Sequence, residues 1–160
     1  MQHTNNGMLD KKQQVYLERI GTMWEEVGLT NIGGKILGYL LICGKPMVSF
    51  QELVDELGVS KASVSNNLKA LTGIHFVDMV KPKGNRKSYY KPNNVDMADM
   101  MEKRSALFDL YADVMDEGLA FVGDQQSDAA VFMRETRDFY RWMKTKMPQL
   151  LDEYRRTKNI

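Results

Sequence analysis

The segment from residue 60 to residue 71 constrains the fold of this chain more than any other stretch. Its sequence, SKASVSNNLKAL, places Val64, Leu68 and Leu71 at spacings of four and three, the period of one face of an α-helix. The other face carries hydroxyls, amides and cations but no acid: Ser60, Lys61, Ser63, Ser65, Asn66 and Lys69. Amides and hydroxyls read base edges, and cations neutralise phosphates. The pattern therefore predicts a helix that enters the major groove of duplex DNA.

The residues before this segment predict a second helix. Ser49 and Glu52 have the spacing of a capping box, and an apolar stripe follows them. Gly58 is a natural helix stop, because glycine adopts the left-handed conformation without a Cβ penalty. Ser60 can then cap the next helix. Two helices joined by a short turn that contains glycine make a helix-turn-helix.

A basic β-hairpin is predicted directly downstream. Residues 76–81 are rich in strand formers, residues 83–85 supply turn chemistry, and residues 86–91 form the returning strand. A helix-turn-helix followed by such a hairpin is the order of a winged helix-turn-helix. The wing residues assigned to DNA binding are Lys81, Lys83, Gly84, Asn85, Arg86 and Lys87.

Positive charge is concentrated where this motif lies. Residues 60–91 contain seven cations against one acid, Asp78, a net charge of +6. The whole chain carries only +1, so the remainder must carry −5. This asymmetry is typical of a phosphate-binding surface. The alternative is a solvated basic hairpin that discourages aggregation.

The stretch from about residue 31 to residue 92 resembles the MarR superfamily of bacterial regulators, in particular its GbsR-like branch. The resemblance rests on residues 34–40, 45–46, 50–53, 57–65, 68–71 and 84–90. It implies homodimers that bind pseudo-palindromic operators, usually as repressors. It also implies that Ser63, Ser65 and Asn66 lie in the major groove and Arg86 in the adjacent minor groove. Residues 71–77 depart from the pattern, because they lack the cation that many relatives carry after the recognition helix.

Amphipathic helices are predicted on both sides of the motif. The first runs from about residue 9 to residue 27, and the next, about 32–43, has glycines at 33, 34 and 38 that permit close helix approach. After a linker at 92–94, one long helix is predicted to carry an apolar stripe from Met97 to Val122. The final helix contains Pro148, which is expected to end, kink or restart it.

The winged helix-turn-helix of residues 31–92, called the reading head below, is too small to cover the apolar faces of these helices. We therefore expect a second copy of the chain to cover them. The predicted dimer interface comprises Leu9, Tyr16, Ile20, Met23, Phe132, Phe139, Met143, Leu150 and Tyr154. The alternative is that the helices fold back as a monomeric cap. The predicted fold is mainly α: a winged helix-turn-helix with a small β-hairpin wing at 31–92, an N-terminal dimerisation helix at 1–30 and a C-terminal helical dimerisation region at 93–160.

Four aromatic residues suggest a candidate effector pocket: Trp24, Tyr39, Phe108 and Tyr111. The resemblance implies an effector site near the junction of reading head and dimer helices. Cages of aromatic rings favour quaternary amines, which would be the effector class. The alternative is that the rings belong to the core.

Other classes of protein have weaker support. A winged helix used only for protein contacts would not need the basic strip, and no catalytic constellation, cofactor motif or metal-ligand spacing appears. Cys43 is read as a small buried hydrophobe, with a redox switch as the alternative. The apolar runs are too short for a membrane span, no secretory signal is visible, and one cysteine cannot form an internal disulfide. We therefore expect a cytoplasmic regulator that is not an enzyme and binds double-stranded DNA.

Overall fold

The computed structural model describes residues 9–84, 86–94 and 96–158. The chain divides into two compact units, residues 1–94 and residues 95–160. The predicted fold class is confirmed: the chain is mainly helical with a small antiparallel sheet. The first helix lies in the same unit as the helix-turn-helix, and the assignment of residues 1–30 and 93–160 to dimerisation stays a prediction.

Two helices open the first unit, and side chains cap both of them. Helix α1 spans Lys11–Glu26, and Asp10 and Gln13 form a reciprocal capping box at its start. Helix α2 spans Asn31–Ile42, and the Thr30 hydroxyl accepts the backbone N–H of Gly33 at 2.9 Å. These bonds satisfy amides that the first helical turn leaves unpaired.

Helices α1 and α2 pack closely because glycines face the contact. A Cβ built on Gly34 would lie 2.8 Å from the backbone oxygen of Ile20, and one on Gly38 would lie 2.6 Å from the Ile20 side chain. The predicted close helix approach is therefore confirmed, and its partner is α1.

The predicted helix-turn-helix is present. Helix α3 spans Phe50–Leu57 and ends at Gly58, whose φ of 61° is left-handed. Helix α4 spans Lys61–Gly73, and the Ser60 hydroxyl accepts the N–H of Ser63 at 3.1 Å. Of the two hydrogen bonds of the capping box predicted at the start of α3, one is present. Ser49 accepts the N–H of Glu52, but the Glu52 carboxylate bonds to other side chains, so the return bond is not made.

The hairpin belongs to a three-stranded antiparallel sheet in the order β1, β3, β2. The strands are β1 Val48–Ser49, β2 Val77–Val80 and β3 Tyr89–Pro92. Strand β1 was not predicted, because two residues are too short to show a period. The returning strand begins at Tyr89 instead of residue 86, and Pro92 belongs to it instead of to a linker.

One core holds the first unit together. Ile36, Leu53 and Val64 are fully buried, so α2, α3 and α4 meet in it, and Leu17 and Trp24 bring α1 onto the same core. The sheet contributes Val48 and Val77. Burying such side chains stabilises a fold by about 1.5–3 kcal/mol each.

The second unit contains three helices: α5 Met97–Ser105, α6 Phe108–Leu119 and α7 Asp128–Lys158. The prediction of one long helix from Met97 to Val122 was wrong. Its apolar stripe has a gap between Met101 and Phe108, where Arg104 and Ser105 are polar, and the chain breaks there. Pro148 lies inside α7 without ending or restarting it.

Ion pairs join acids of α5, its N-cap and α6 to cations of α7. Lys158 contacts Asp96 at 2.8 Å, Arg155 contacts Asp99 at 2.9 Å, and Lys144 contacts Asp109 at 2.6 Å. Asp116 contacts both Arg137 and Arg141, and the Arg137 hydrogen bond is the main cause that holds the pKa of Asp116 below its usual value. Exposed ion pairs contribute little to the free energy of folding. We therefore expect these pairs to matter more for the register between the helices than for stability.

The close contact of α1 and α2 generates a stability prediction. Gly34→Ala should lower the free energy of unfolding by about 1–3 kcal/mol, because the new methyl must displace backbone of α1. Gly73→Ala is the matched control: no atom lies within 4 Å of its built Cβ. We expect the control to be neutral or to stabilise by about 0.5–1 kcal/mol. Urea denaturation followed by circular dichroism measures both, and equal effects would contradict the close packing.

Candidate nucleic-acid interface

Helix α4 exposes a polar face because its apolar face is buried in the core. Val64, Leu68 and Leu71 are buried in the core of the first unit. Of the residues predicted to read DNA, Ser60, Lys61, Ser65, Asn66 and Lys69 are exposed. Ser63 is half-buried, and its backbone N–H serves the cap of the helix. The structure therefore places hydroxyl, amide and ammonium groups on one accessible helix surface.

The wing extends the polar surface of α4. Lys81, Lys83, Gly84, Arg86 and Lys87 are exposed, and Gly84 has a φ of 81° that suits a turn at the tip. Asn85, also assigned to the wing, lies outside the described residues. Strands β2 and β3 hold the base of the wing in register, with Met79 opposite Tyr90.

The cations of residues 60–91 form an exposed basic surface. All seven are exposed: Lys61, Lys69, Lys81, Lys83, Arg86, Lys87 and Lys91. Asp78, the one acid among them in the sequence, lies opposite Lys91 in the sheet register. Within the described residues, Lys61, Lys69, Lys81, Lys83 and Arg86 form no ion pair with a carboxylate. This surface is thus ready to bind external anions, whereas several cations of α7 already pair with acids of the second unit.

A polar cluster of Tyr39, Lys45 and Glu52 links α3 to α2 and to the loop that follows α2. The hydroxyl of Tyr39 on α2 donates to Glu52 at 2.9 Å, and Lys45 contacts the same carboxylate oxygen at 2.6 Å. Burial and this hydrogen bond raise the pKa of Tyr39, and the bond to Glu52 raises the pKa of Lys45. Both groups therefore keep their protons at neutral pH, and the cluster ties α2, the following loop and α3 together.

Sequence reasoning missed one polar residue on the inner face of α4. Asn67 is 9% exposed and contacts the Thr30 hydroxyl at the start of α2. The signal was present in the sequence, since 64, 67, 68 and 71 follow the spacing of a single helix face. An asparagine at such a position must be buried, and its amide needs partners.

Comparisons with known proteins agree with this arrangement. The family model described as MmpR5-like MarR family transcriptional regulator matches residues 96–157. The HTH-type transcriptional regulator MmpR5 of Mycobacterium tuberculosis is 29% identical over 140 residues, which cover 87% of this chain and 84% of that protein. A crystal structure of a transcriptional regulator superposes with a TM-score of 0.75 at 26% identity, over 91% of this chain and 99% of the other.

The chain is similar to MarR-family transcriptional regulators. Its winged-helix fold and exposed basic surface are consistent with the DNA-binding role that these relatives' descriptions indicate. The family model matches the second unit, whereas the resemblance seen in the sequence lies in the first, so the two parts agree independently. The GbsR-like branch stays a prediction, because the matched model is MmpR5-like.

The four aromatic residues of the candidate effector pocket divide between the two units of the chain. Trp24 and Tyr39 are buried in the core of the first unit, and Trp24 packs edge-on against Phe76 at 5.0 Å between ring centroids. Phe108 and Tyr111 both pack against Tyr140 in the second unit. Each ring has a partner within its own unit, and the pocket itself stays a prediction.

The residues of the predicted dimer interface differ in exposure. Leu9 and Ile20 pack against the core of the first unit, and Met143 packs against the small core of the second. The others are exposed on α1 or α7: Tyr16, Met23, Phe132, Phe139, Leu150 and Tyr154. The exposed members are accessible to a partner, and the interface stays a prediction.

Other kinds of site find no support in the described part of the chain. No group of three or more His, Cys, Asp or Glu side chains there is arranged to hold a metal ion. No helix among the described residues is long and apolar enough to cross a membrane. Cys43 is free and half-buried, and it packs against the core of the first unit.

Proposed function

We propose that this protein is a MarR-family regulator: a homodimeric repressor that binds an inverted-repeat operator and releases it in response to a small molecule. One observation carries the proposal. Helix α4 exposes amide and hydroxyl side chains, and the wing that follows it in the sequence exposes all of its described cations. A surface that only repelled other proteins would need the cations but not the amide and hydroxyls.

In this proposal α4 lies in the major groove. Ser65 and Asn66 are exposed side chains that can donate to and accept from base edges, and an Asn amide pairs well with adenine. Ser60 and Ser63, at the start of the helix, approach the same groove. Lys61 and Lys69 flank these residues and contact phosphates, which fix the position of the helix without reading sequence.

The wing contacts the flanking DNA. Arg86 is exposed beside the wing tip, and arginine is favoured in narrow minor grooves of high negative potential. Lys81, Lys83 and Lys87 contact phosphates on either side, with Gly84 at the tip between them. Each phosphate that a cation neutralises releases counterions, so affinity should fall with salt at a log–log slope of about −0.9 for each such phosphate.

The residues that read bases and those that bind phosphates can be separated by substitution. Ser65→Ala and Asn66→Ala should reduce the affinity for a selected operator relative to random duplex by about 1–3 kcal/mol each. Lys83→Ala should weaken all sequences alike and lower the salt slope by about one unit for each phosphate that it leaves without a cation. Lys12→Ala, on the exposed side of α1, is the matched charge control and should change neither quantity.

Gel-shift titrations over a range of salt, with operator selected from a randomised duplex pool, measure these effects. If Ser65 and Asn66 variants kept full sequence preference, α4 would not be the reading helix. If the wild-type protein bound no duplex in a salt-dependent way, the chain would be better explained as a protein-contact module.

The second unit supports a dimer. Its helix α7 carries large exposed apolar side chains, with Phe132 66%, Phe139 53% and Leu150 53% exposed. Their spacing, with Met143 and Tyr154, is 7, 4, 7 and 4, so the five side chains form a seam along one face of the helix. Contiguous apolar patches of this kind are rare on monomers. In a symmetric dimer the two α4 helices would lie one turn of DNA apart, about 34–36 Å.

Charged substitutions on this seam should therefore produce a monomer. In the double variant Phe132→Arg and Leu150→Arg, both changes are exposed, so folding should persist while association is abolished. Leu41→Arg is the control, since Leu41 is 54% exposed but lies on α2, outside the seam. Sedimentation velocity measures the state of each. A wild-type monomer at micromolar concentration, or a dimeric double variant, would contradict the proposed interface.

Ligand response and repression complete the proposal. Both rest on the sequence resemblance, and a quaternary amine as the effector class stays a prediction. A gel shift with choline as the probe tests it, because an amine effector should lower operator affinity.

A further inference from the structure

The inner face of α4 contains one polar side chain among apolar ones. Val64, Leu68 and Leu71 are almost fully buried, and Asn67 shares their face at 9% exposure. Placing an amide in such a position costs about 1–3 kcal/mol unless both of its polar groups find partners. A leucine would fill this position without that cost, so the presence of asparagine needs a physical reason.

Both ends of the Asn67 amide are satisfied. Its Nδ2 donates to the backbone oxygen of Ser63 at 2.9 Å, within α4. Its Oδ1 accepts the hydroxyl of Thr30, which caps α2. The Thr30 oxygen in turn accepts the N–H of Gly33 at 2.9 Å, so a continuous chain of hydrogen bonds runs from the first turn of α2 to the middle of α4.

Gly33 leaves the space that this chain of bonds needs. A Cβ on Gly33 would lie 3.0 Å from the Thr30 oxygen and 3.1 Å from Asn67 Oδ1. These distances are shorter than ordinary van der Waals contact, so the Thr30 and Asn67 side chains would have to move by a few tenths of an ångström to admit an alanine. Thr30 and Gly33 at the start of α2 and Asn67 on α4 therefore pack together at a single contact.

Apolar packing and a hydrogen bond constrain a helix differently. Hydrophobic burial is non-directional, so Val64, Leu68 and Leu71 alone would tolerate small rotations of α4. A hydrogen bond requires its atoms to lie within a few tenths of an ångström and in line. Successive helical residues are about 100° apart, so the bond at Asn67 also sets the direction of its neighbour Asn66 and of Ser65.

We propose that Asn67 is a positioning residue for sequence recognition: through Thr30 it fixes the rotation of α4 against α2 and so aims Ser65 and Asn66 at the bases. The inference rests on the proposed function of α4 as the reading helix. Asn67 is buried and does not touch DNA. Buried polar groups fix register in other helical assemblies at some cost in stability, and here the register is that of the reading helix.

Asn67→Leu tests the proposal, because leucine keeps the volume and removes the directional bond. The variant should fold and should melt at or above the wild-type temperature, since apolar replacements of buried polar groups are often neutral or stabilising. Its affinity for random duplex should stay within about twofold of wild type, and its preference for the wild-type-selected operator should fall by about tenfold or more. Thr30→Val should reduce the preference similarly, and the double variant should show little further reduction, because both changes break one interaction.

Thr30→Ser is the matched control, since serine keeps both the cap and the donor hydroxyl, and it should keep the operator preference. An Asn67→Leu variant with full preference, or one that fails to fold by circular dichroism, would overturn the assignment and make Asn67 a structural residue only. The wild-type protein is titrated first with operator and random duplex. If it shows no preference, the proposed function fails at that step and the inference falls with it.

Discussion

The packing of α4 against α2 is the contact on which the reading head depends. Residues at 64, 68 and 71 bury the apolar side of α4, and this burial is what leaves Ser65, Asn66 and Lys69 exposed on the other side. The caps at Thr30 and Ser60 start the two helices at defined residues. A shift of either start by one residue would rotate the exposed set by about 100°. The polar surface is therefore a consequence of how the core is packed.

Electrostatics divides the chain into two parts with different roles. In the second unit acids of α5 and α6 face cations of α7, and the pairs neutralise one another. In the reading head the described cations of α4 and the wing tip face solvent. A net charge of +1 hides this division. It means that the attraction for a polyanion is local to α4 and the wing, where the side chains that can read bases also lie.

Local signals were enough to predict the helix-turn-helix. The stop at Gly58, the cap at Ser60 and the period of 64, 68 and 71 each depend only on nearby residues, and the structure confirms all three. The break at 106–107 was missed because the stripe was extended across a polar gap. Pro148 neither ends nor restarts α7, which leaves a kink as the remaining predicted effect. The Thr30–Asn67 contact joins residues 37 apart, so no local pattern shows it. Which apolar side chains of α7 stay exposed depends on packing within the second unit, since Met143 contacts its small core whereas Phe132 and Leu150 do not.

Nuclear magnetic resonance of the labelled protein titrated with its selected operator duplex tests the central claim most directly. The account predicts that the largest changes in backbone and side-chain amide shifts occur in residues 60–69 and 81–87, with the Asn66 side-chain amide among them. Residues 50–57 of α3 and most of 96–158 should change little. Changes concentrated in the second unit, with 60–69 unaffected, would contradict the assignment of α4 and the wing as the DNA-reading surface.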